Sequence, residues 1–298
     1  MRRGLFSIML LLVSVVTIFL LMDYKRPPET LTIGLIPSNH PETMAKNFAP
    51  ITDYLQKQMG YAIEVVVPSD YIGLIDAMKN KKVDIGWFGA FSYIAAEGEM
   101  ALEPMVIQQR IGSGITYHSL IITRQDSEIR SVDDLEGKTF AFVDRGSTSG
   151  FVIPYSLLKS RNIDYKQYFS DVIYSGTHDD VLMDVFNKKV DAGAMEDLTY
   201  KKMIDGGKVR AEDVRIIWQS NEIPGSPFVA RADLHPDAKK KFKQAMITMH
   251  DNAPEAIRSF DSKIQKYVEF EDSLYNEIRN ISTLLGRQFI FENFLQKK

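Results

Sequence analysis

The sequence predicts an α/β protein of two lobes, each built on a mainly parallel sheet, with the chain crossing twice between the lobes. Three observations predict this architecture. Short apolar strands alternate with helical stretches, an order typical of parallel sheets covered by helices. The same order occurs twice in the chain, at a constant offset of 107 residues. Extended stretches that contain Gly and Pro join the two copies.

The repeat is clearest in one heptapeptide. Asn80–Gly86 reads NKKVDIG, and Asn187–Gly193 reads NKKVDAG. The same offset aligns Thr32–Ile36 with Thr139–Val143. A constant offset in separate blocks indicates a duplicated domain plan and not a solenoid.

Each copy is predicted to contain strand, helix, strand, helix and strand, in that order. The predicted strands are 31–36, 62–67 and 83–87 in the first copy and 138–143, 171–174 and 190–194 in the second. The predicted helices are 42–58 and 69–80, then 149–161 and 177–187. Apolar residues recur on one face of each second helix, as expected for helices that cover a sheet.

We expect three segments in the domain organisation. Residues 1–30 form an N-terminal segment, residues 31–115 with 226–298 form lobe one, and residues 116–225 form lobe two. Crossings near Gly112–Gly114 and Ile223–Pro227 are expected to act as a hinge.

The N-terminal segment contains a long uncharged run. Arg2 and Arg3 precede this run, which extends from Gly4 to Met22. Such a run has the length of a membrane-spanning helix, roughly 20 residues, and no A-x-A-like cleavage site follows it. We therefore predict an uncleaved membrane anchor. The alternative is a cleaved signal with an atypical site.

Composition excludes several classes of site and partner. The 298 residues contain no Cys, which excludes disulfides, thiolate metal sites and a lipid-modified cysteine. The five His residues lack the spacing of a zinc site. A net charge of -3 without a basic block does not indicate nucleic-acid binding. We expect no cofactor, no metal, no nucleic-acid partner and a monomer.

A loop rich in small residues is the strongest local signal. Asp144–Gly150 reads DRGSTSG and lies between a predicted strand and a predicted helix. Free N–H groups at a helix start, with the hydroxyls of Ser147, Thr148 and Ser149, can hold an anion. An ordinary helix N-cap is the alternative, although three consecutive hydroxyl residues exceed what a cap needs. The GK[ST] ending of a nucleotide-binding Walker loop is missing.

Loops at the carboxyl ends of the strands are the expected place for a ligand. The repeat selects 37–43, 68–72 and 87–93 in lobe one, and 144–150, 175–179 and 194–200 in lobe two. The offset pairs His178 with Tyr71, and we expect both side chains to project into one cleft as donors. A solvent-exposed histidine beside a cap is the alternative.

The loops after the third strands carry aromatic and acidic residues. We predict Tyr93 as a second phenol donor and Phe88 as part of an apolar wall, with core packing as the alternative for these aromatics. Glu196, in the matching loop of lobe two, is predicted to accept a bond from the ligand or to orient His178. A solvated helix start is the alternative for Glu196.

We do not expect an enzyme or any catalytic residue. Ser147, His178 and Asp179 are the residue types of a hydrolytic triad, but the sequence has no GxSxG elbow. Adjacent residues on a helix do not face one another, so Asp179 is poorly placed to orient His178.

These motifs together resemble those of the phosphate-, phosphite- and phosphonate-binding proteins of ABC transporters, the PhnD-like family. The resemblance covers most of residues 31–285. Its most specific pieces are Ser69–Tyr71, Lys82–Gly89, Asp133–Gly150, Ser175–His178 and Val190–Ala194.

The resemblance implies a periplasmic-binding-protein fold whose hinge closes on a phosphorus oxyanion. It implies that the Ser-Thr-Ser loop and His178 hold this oxyanion, with Tyr71 and Tyr93 across the cleft. Glu196 is similar to an acidic residue that binds the ammonium in members with aminoalkyl phosphonate ligands. Ser226 stands where another such acid occurs, which argues against an aminoalkyl ligand.

The resemblance also implies a partner and a location. An ABC permease is the expected partner, and the chain is expected on the extracytoplasmic face of the cell membrane. It is held there by its N-terminal anchor, or is free in the periplasm if the leader is cleaved. The alternative function is a membrane-tethered receptor that signals to a membrane partner such as a histidine kinase.

Overall fold

The computed structural model describes residues 29–295. The predicted anchor, the run from Gly4 to Met22, lies outside these residues. Among the described helices, none combines the length and the apolar character that a membrane crossing requires.

The described chain alternates strands and helices, as predicted. In chain order its strands are β1 (Thr30–Leu35), β2 (Ala62–Val66), β3 (Ile85–Trp87), β4 (Leu102–Arg110), β5 (Thr116–Tyr117), β6 (Ser119–Arg124), β7 (Thr139–Phe142), β8 (Asp171–Tyr174), β9 (Ala192–Glu196), β10 (Val214–Gln219), β11 (Ile223–Pro224), β12 (Pro227–Arg231) and β13 (Ile264–Glu269). Its α-helices are α1 (Pro41–Met59), α2 (Tyr71–Lys79), α3 (Ala90–Glu97), α4 (Ile153–Ser160), α5 (Tyr165–Tyr168), α6 (His178–Phe186), α7 (Asp197–Asp205), α8 (Pro236–Asn252), α9 (Pro254–Phe260), α10 (Asn276–Leu285) and α11 (Arg287–Ile290).

The strands form two large sheets, one for each copy of the repeat. The first has the order β13-β4-β12-β3-β1-β2 and the second has the order β10-β6-β9-β7-β8. In the first sheet β1 pairs in parallel with β2 and β3, and in the second β7 pairs in parallel with β8 and β9. We call the first sheet and its helices lobe one, and the second sheet and its helices lobe two.

The predicted α/β fold is confirmed, with one difference in the sheets. Strands β4, β12 and β13 in lobe one, and β6 and β10 in lobe two, pair antiparallel. Each sheet is therefore mixed, with parallel and antiparallel pairs. Between the sheets, β5 and β11 form a separate antiparallel pair. The domain limits predicted near residues 115 and 226 stay a prediction.

The repeated NKKVD motif has the same structural role in both lobes. The side chain of Asp84 accepts the backbone N–H of Thr32 at 2.9 Å, and the side chain of Asp191 accepts that of Thr139 at 2.9 Å. Each carboxylate thus ties the start of the third strand to the first strand. The first Lys of each motif, Lys81 or Lys188, has a positive φ, and this conformation ends the preceding helix.

The C-terminal segment contacts both lobes. The ring of Phe289 stacks on Tyr155 of lobe two with 4.7 Å between centroids. Phe294 is buried and lies 5.6 Å from Phe91 of lobe one. A Cβ at Gly146 would overlap the ring of Phe294, so only glycine fits beside this ring. The segment therefore packs on the loop that follows β7.

Candidate functional site

A cavity of about 760 Å³ lies between the two lobes. Each of the six loops selected from the repeat contributes to its lining, for example Ser38, Tyr71 and Gly89 from lobe one. The loops meet there because the parallel strands of each sheet end at the edge that faces the other lobe.

The Ser-Thr-Ser loop forms the innermost wall of the cavity. Ser147, Thr148 and Ser149 all line it and are almost fully buried. The hydroxyl of Ser147 accepts the backbone N–H of Gly150 at 3.1 Å, so this residue also caps the helical turn that follows. The hydroxyl oxygen of Thr148 accepts the backbone N–H of Phe91, in lobe one, at 2.8 Å. The loop is therefore both a helix start and a contact between the lobes.

His178 is the first residue of α6 and is only 2% exposed. Its Nδ1 accepts the backbone N–H of Glu196 at 3.1 Å, so the proton of the neutral ring is on Nε2. Burial lowers the pKa of His178 below its ordinary 6.5, although the nearby carboxylates of Glu196 and Asp179 partly oppose this shift. At neutral pH His178 thus lines the cavity with an uncharged N–H donor.

Two buried phenols complete the inner part of the cavity. Tyr71, at the start of α2, lies close to Ser147, and Tyr117 lies close to Thr148 and Ser149. Burial raises the pKa of both hydroxyls above the ordinary value of 10.0, so both stay protonated and can donate. The sequence does not single out Tyr117, because it lies in a crossing segment and not at a strand end selected by the repeat.

We call the six side chains described above the inner end of the cavity: Ser147, Thr148, Ser149, His178, Tyr71 and Tyr117. Their donors are uncharged at neutral pH. Such a cluster suits an anion that accepts several hydrogen bonds, since bonds to a charged acceptor are the strong ones. Over residues 29–295, no group of three or more His, Asp or Glu side chains is arranged to hold a metal ion.

Tyr93 and Phe88 do not line the cavity, and their predicted placement is corrected. The hydroxyl of Tyr93 donates to Glu97 at 2.8 Å, and its ring packs edge-on against Tyr275 in the interior of lobe one. Phe88 is fully buried in the same lobe. Successive residues of an extended chain point to opposite faces, so Trp87 reaches the cavity and Phe88 does not.

Glu196 lies where the inner end meets the rest of the cavity. Its side chain accepts the hydroxyl of Thr199 at 2.6 Å and lies 4.0 Å from Nε2 of His178. The backbone of Glu196, and not its carboxylate, fixes the orientation of the imidazole. The carboxylate is partly exposed and lines the cavity, where it is available as an acceptor.

A second carboxyl lies behind the Ser-Thr-Ser loop. Asp144 accepts the backbone N–H of Gly146 at 2.7 Å. Burial raises the pKa of Asp144 from 3.8 to about 6, because the charged form is poorly solvated there. The loop therefore contains a carboxyl that takes up a proton at higher pH than an ordinary aspartate does.

The two lobes touch around the inner end. The backbone N–H of His178 donates to the carbonyl of Ser38 at 3.1 Å, and the side chain of Asn39 donates to Asp179. The backbone N–H of Phe91 in lobe one also donates to Thr148 in lobe two. Together, these three hydrogen bonds hold lobe one against lobe two at the inner end.

Comparison with known proteins assigns the family. A family model described as the periplasmic substrate-binding protein of a phosphonate ABC transporter matches residues 33–275. The chain belongs to this family. It is 30% identical over 282 residues to the phosphate-import protein PhnD of Mycolicibacterium smegmatis, a match that covers 88% of this chain and 87% of that protein.

Solved structures of relatives share the fold. A binding protein component of an ABC phosphonate transporter from Pseudomonas aeruginosa has a TM-score of 0.80 and 24% identity, with 91% of each chain covered. PhnD1 of Prochlorococcus marinus, solved with methylphosphonate, has a TM-score of 0.78 and 22% identity, and covers 87% of this chain and 99% of its own. The predicted periplasmic-binding-protein fold and the predicted family are both confirmed. This family consists of periplasmic substrate-binding proteins of transporters and not of enzymes.

Proposed function

We propose that the protein captures a phosphonate-, phosphite- or phosphate-type oxyanion at the inner end and delivers it to the permease of an ABC importer. The observation that carries this proposal is the convergence of six uncharged donors from both lobes on one buried wall. A tetrahedral oxyanion can accept a bond from several of them at once, because its oxygens point in different directions. The methylphosphonate bound by PhnD1 of Prochlorococcus marinus supports this ligand class.

Capture is proposed to occur by closure of the lobes. The pair of β5 and β11 is the proposed hinge, since it joins the two crossings between the sheets. Tyr71 belongs to lobe one, whereas the Ser-Thr-Ser loop and His178 belong to lobe two. A ligand bonded by both lobes favours the closed state by its difference in affinity for the two states. The permease would recognise the closed state, with the protein acting as a monomer.

The arrangement of His178 argues against hydrolysis of the ligand. A general base needs a free ring nitrogen to take the proton of a serine hydroxyl. Nδ1 is occupied by the backbone N–H of Glu196, and Nε2 carries the proton. His178 therefore donates a hydrogen bond, which serves binding and not catalysis.

Glu196 favours a ligand that carries a hydrogen-bond donor near its phosphorus atom. An ammonium, a hydroxyl or a protonated oxyanion oxygen would satisfy the carboxylate, whereas a fully ionised oxyanion would be repelled by it. The location is proposed to be the extracytoplasmic face of the cell membrane, with the run from Gly4 to Met22 as the anchor.

Titration calorimetry on the full chain tests this function, with phosphate, phosphite, methylphosphonate, 2-aminoethylphosphonate and sulfate as ligands. We expect at least one phosphorus oxyanion to bind, and we expect Ser149→Ala to weaken that binding by about tenfold. Ser160→Ala is the matched control, because Ser160 is exposed on α4 and does not line the cavity. Binding of an uncharged solute, with no heat from any phosphorus oxyanion, would overturn the proposal.

A further inference from the structure

The inner end accounts for only a small part of the cavity. The whole cavity has a volume of about 760 Å³, which equals that of about 25 water molecules at roughly 30 Å³ each. Cavities of about 300–1,000 Å³ are typical of sites for drug-sized ligands. A phosphonate of five or so heavy atoms would leave most of this space to solvent. The cavity is therefore larger than its anion-binding wall requires.

The cavity is large although the two lobes are in contact with each other. At the inner end the lobes are joined by the bond from the Phe91 N–H to Thr148 and by that from the His178 N–H to Ser38. Elsewhere on the lining, Lys263 of lobe one lies 3.3 Å from Asp205 of lobe two. The space thus persists while the lobes touch in two places.

We call the remaining space the outer chamber. Lobe one contributes Asn47 from α1, Trp87 from the end of β3, Phe260 from the end of α9, and the residues from Asp261 to Lys263 that follow it. Lobe two contributes one face of α7, on which Leu198, Lys202 and Asp205 recur at helical spacing.

The outer chamber combines an aromatic wall with neutral hydrogen-bonding groups. Trp87 and Phe260 pack edge-to-face with 5.4 Å between their ring centroids. Asn47, Thr199 and Ser262 add amide and hydroxyl groups to the lining. Aromatic rings contact the C–H faces of a hydroxylated ligand, while amides and hydroxyls bond its hydroxyl groups.

Most charged side chains of the outer chamber are compensated by neighbours of opposite charge. A cation that lies against a carboxylate attracts a second anion weakly, and the reverse holds for the carboxylate. The compensated pairs are Lys263 with Asp205, Arg110 with Asp261, Lys201 with Asp197, and Arg258 with Glu255. The chamber therefore favours an uncharged polar substituent over a second charged group.

We propose that the ligand is a phosphoryl compound with an uncharged, hydroxylated substituent between glycerol and a hexose in size. Its phosphoryl group binds at the inner end, and its substituent fills the outer chamber. Glu196, at the junction, accepts a hydroxyl of this substituent. This inference rests on the proposed function, since it takes the inner end as the oxyanion site.

Calorimetry on the full chain tests this inference with three probes of increasing substituent size: methylphosphonate, glycerol 3-phosphate and glucose 6-phosphate. We expect at least one of the two hydroxylated compounds to bind at least tenfold more tightly than methylphosphonate. Ser262→Trp, which fills the outer chamber, should lower the affinity for that compound at least tenfold. Ser160→Trp, on the surface of α4, is the matched control and should have no effect.

The outcomes separate the two proposals. Binding of methylphosphonate that equals or exceeds that of both hydroxylated compounds overturns the further inference and leaves the proposed function intact. A preference that Ser262→Trp does not change also overturns it, because the substituent then lies elsewhere. Absence of binding by all three probes and by phosphate, phosphite and 2-aminoethylphosphonate overturns the proposed function itself.

Discussion

The inner end and the outer chamber of one cavity are built on opposite principles. Side chains of the inner end are almost fully buried and have partners from both lobes. The outer chamber reaches exposed residues such as Lys263 and Lys202, and most of its charges are paired. A buried group left without a partner is costly, so the inner end discriminates between head groups. The outer chamber imposes a weaker selection, on the substituent.

The largest effect that separates the two regions should come from His178→Ala. This change removes a buried N–H donor to a charged ligand, a bond worth about 1.5–3 kcal/mol. We expect affinity for the tightest phosphorus oxyanion to fall about 10- to 100-fold by calorimetry. Asn47→Ala, in the outer chamber, is the control and should leave methylphosphonate binding within about twofold. Equal losses in both variants would contradict the division into two regions.

The second effect concerns the carboxyl behind the Ser-Thr-Ser loop. Asp144 has a pKa of about 6 in the folded protein and 3.8 as an ordinary group, so the folded state binds more protons between these values. Its contribution to stability is present below the lower pKa and is lost as pH rises through the higher one. Asp144→Asn does not titrate and should be more stable than the parent by about 1–2 kcal/mol near neutral pH.

Urea unfolding of both proteins at about pH 4 and about pH 7.5 measures this difference. The advantage of Asp144→Asn should shrink at the lower pH, where the parent carboxyl is protonated. His178 has the opposite sign, since its lowered pKa makes stability fall as pH drops below 6.5, but this contribution is common to both proteins. An advantage that does not change with pH would show that Asp144 is ordinarily solvated.

The smallest effect should come from Glu196→Gln, at the boundary of the two regions. Removing this charge should tighten methylphosphonate binding by a few-fold, because the carboxylate repels an ionised oxyanion. The same change should weaken 2-aminoethylphosphonate if its ammonium pairs with Glu196. Calorimetry with both ligands gives the ratio of affinities. A ratio that does not change would place the substituent away from Glu196.

Much of the site followed from the repeat. The offset of 107 residues selects six loops, and every one of them contributes to the lining of the cavity. It also pairs His178 with Tyr71, which the structure places together at the inner end. These inferences succeed because strand–helix alternation and helix capping depend on residues close in sequence. In addition, the two copies of the repeat have similar sequences and therefore adopt similar folds.

The repeat does not predict whether a side chain in a selected loop points into the cavity or into the core of its lobe. Tyr93 occupies a selected loop, but α3 turns its hydroxyl to Glu97 and its ring to Tyr275. Phe88 packs inside lobe one, and Trp87 takes the place on the cavity wall. Alternation and helix spacing are local, but the side of each element that meets the cavity depends on packing against distant residues such as Tyr275.

By itself, the sequence determined the α/β repeat, the loops that face the cleft and the family to which the chain belongs. Only the tertiary structure brought Tyr117 from a crossing segment to the Ser-Thr-Ser loop, and packed Phe294 beside Gly146. The tertiary structure also decided the size of the outer chamber, which is bounded by α1, α7 and the residues after α9. The physical reason is the range of the interactions. Strands, helices and caps arise from neighbours in sequence, whereas a cavity between lobes is set by segments more than a hundred residues apart.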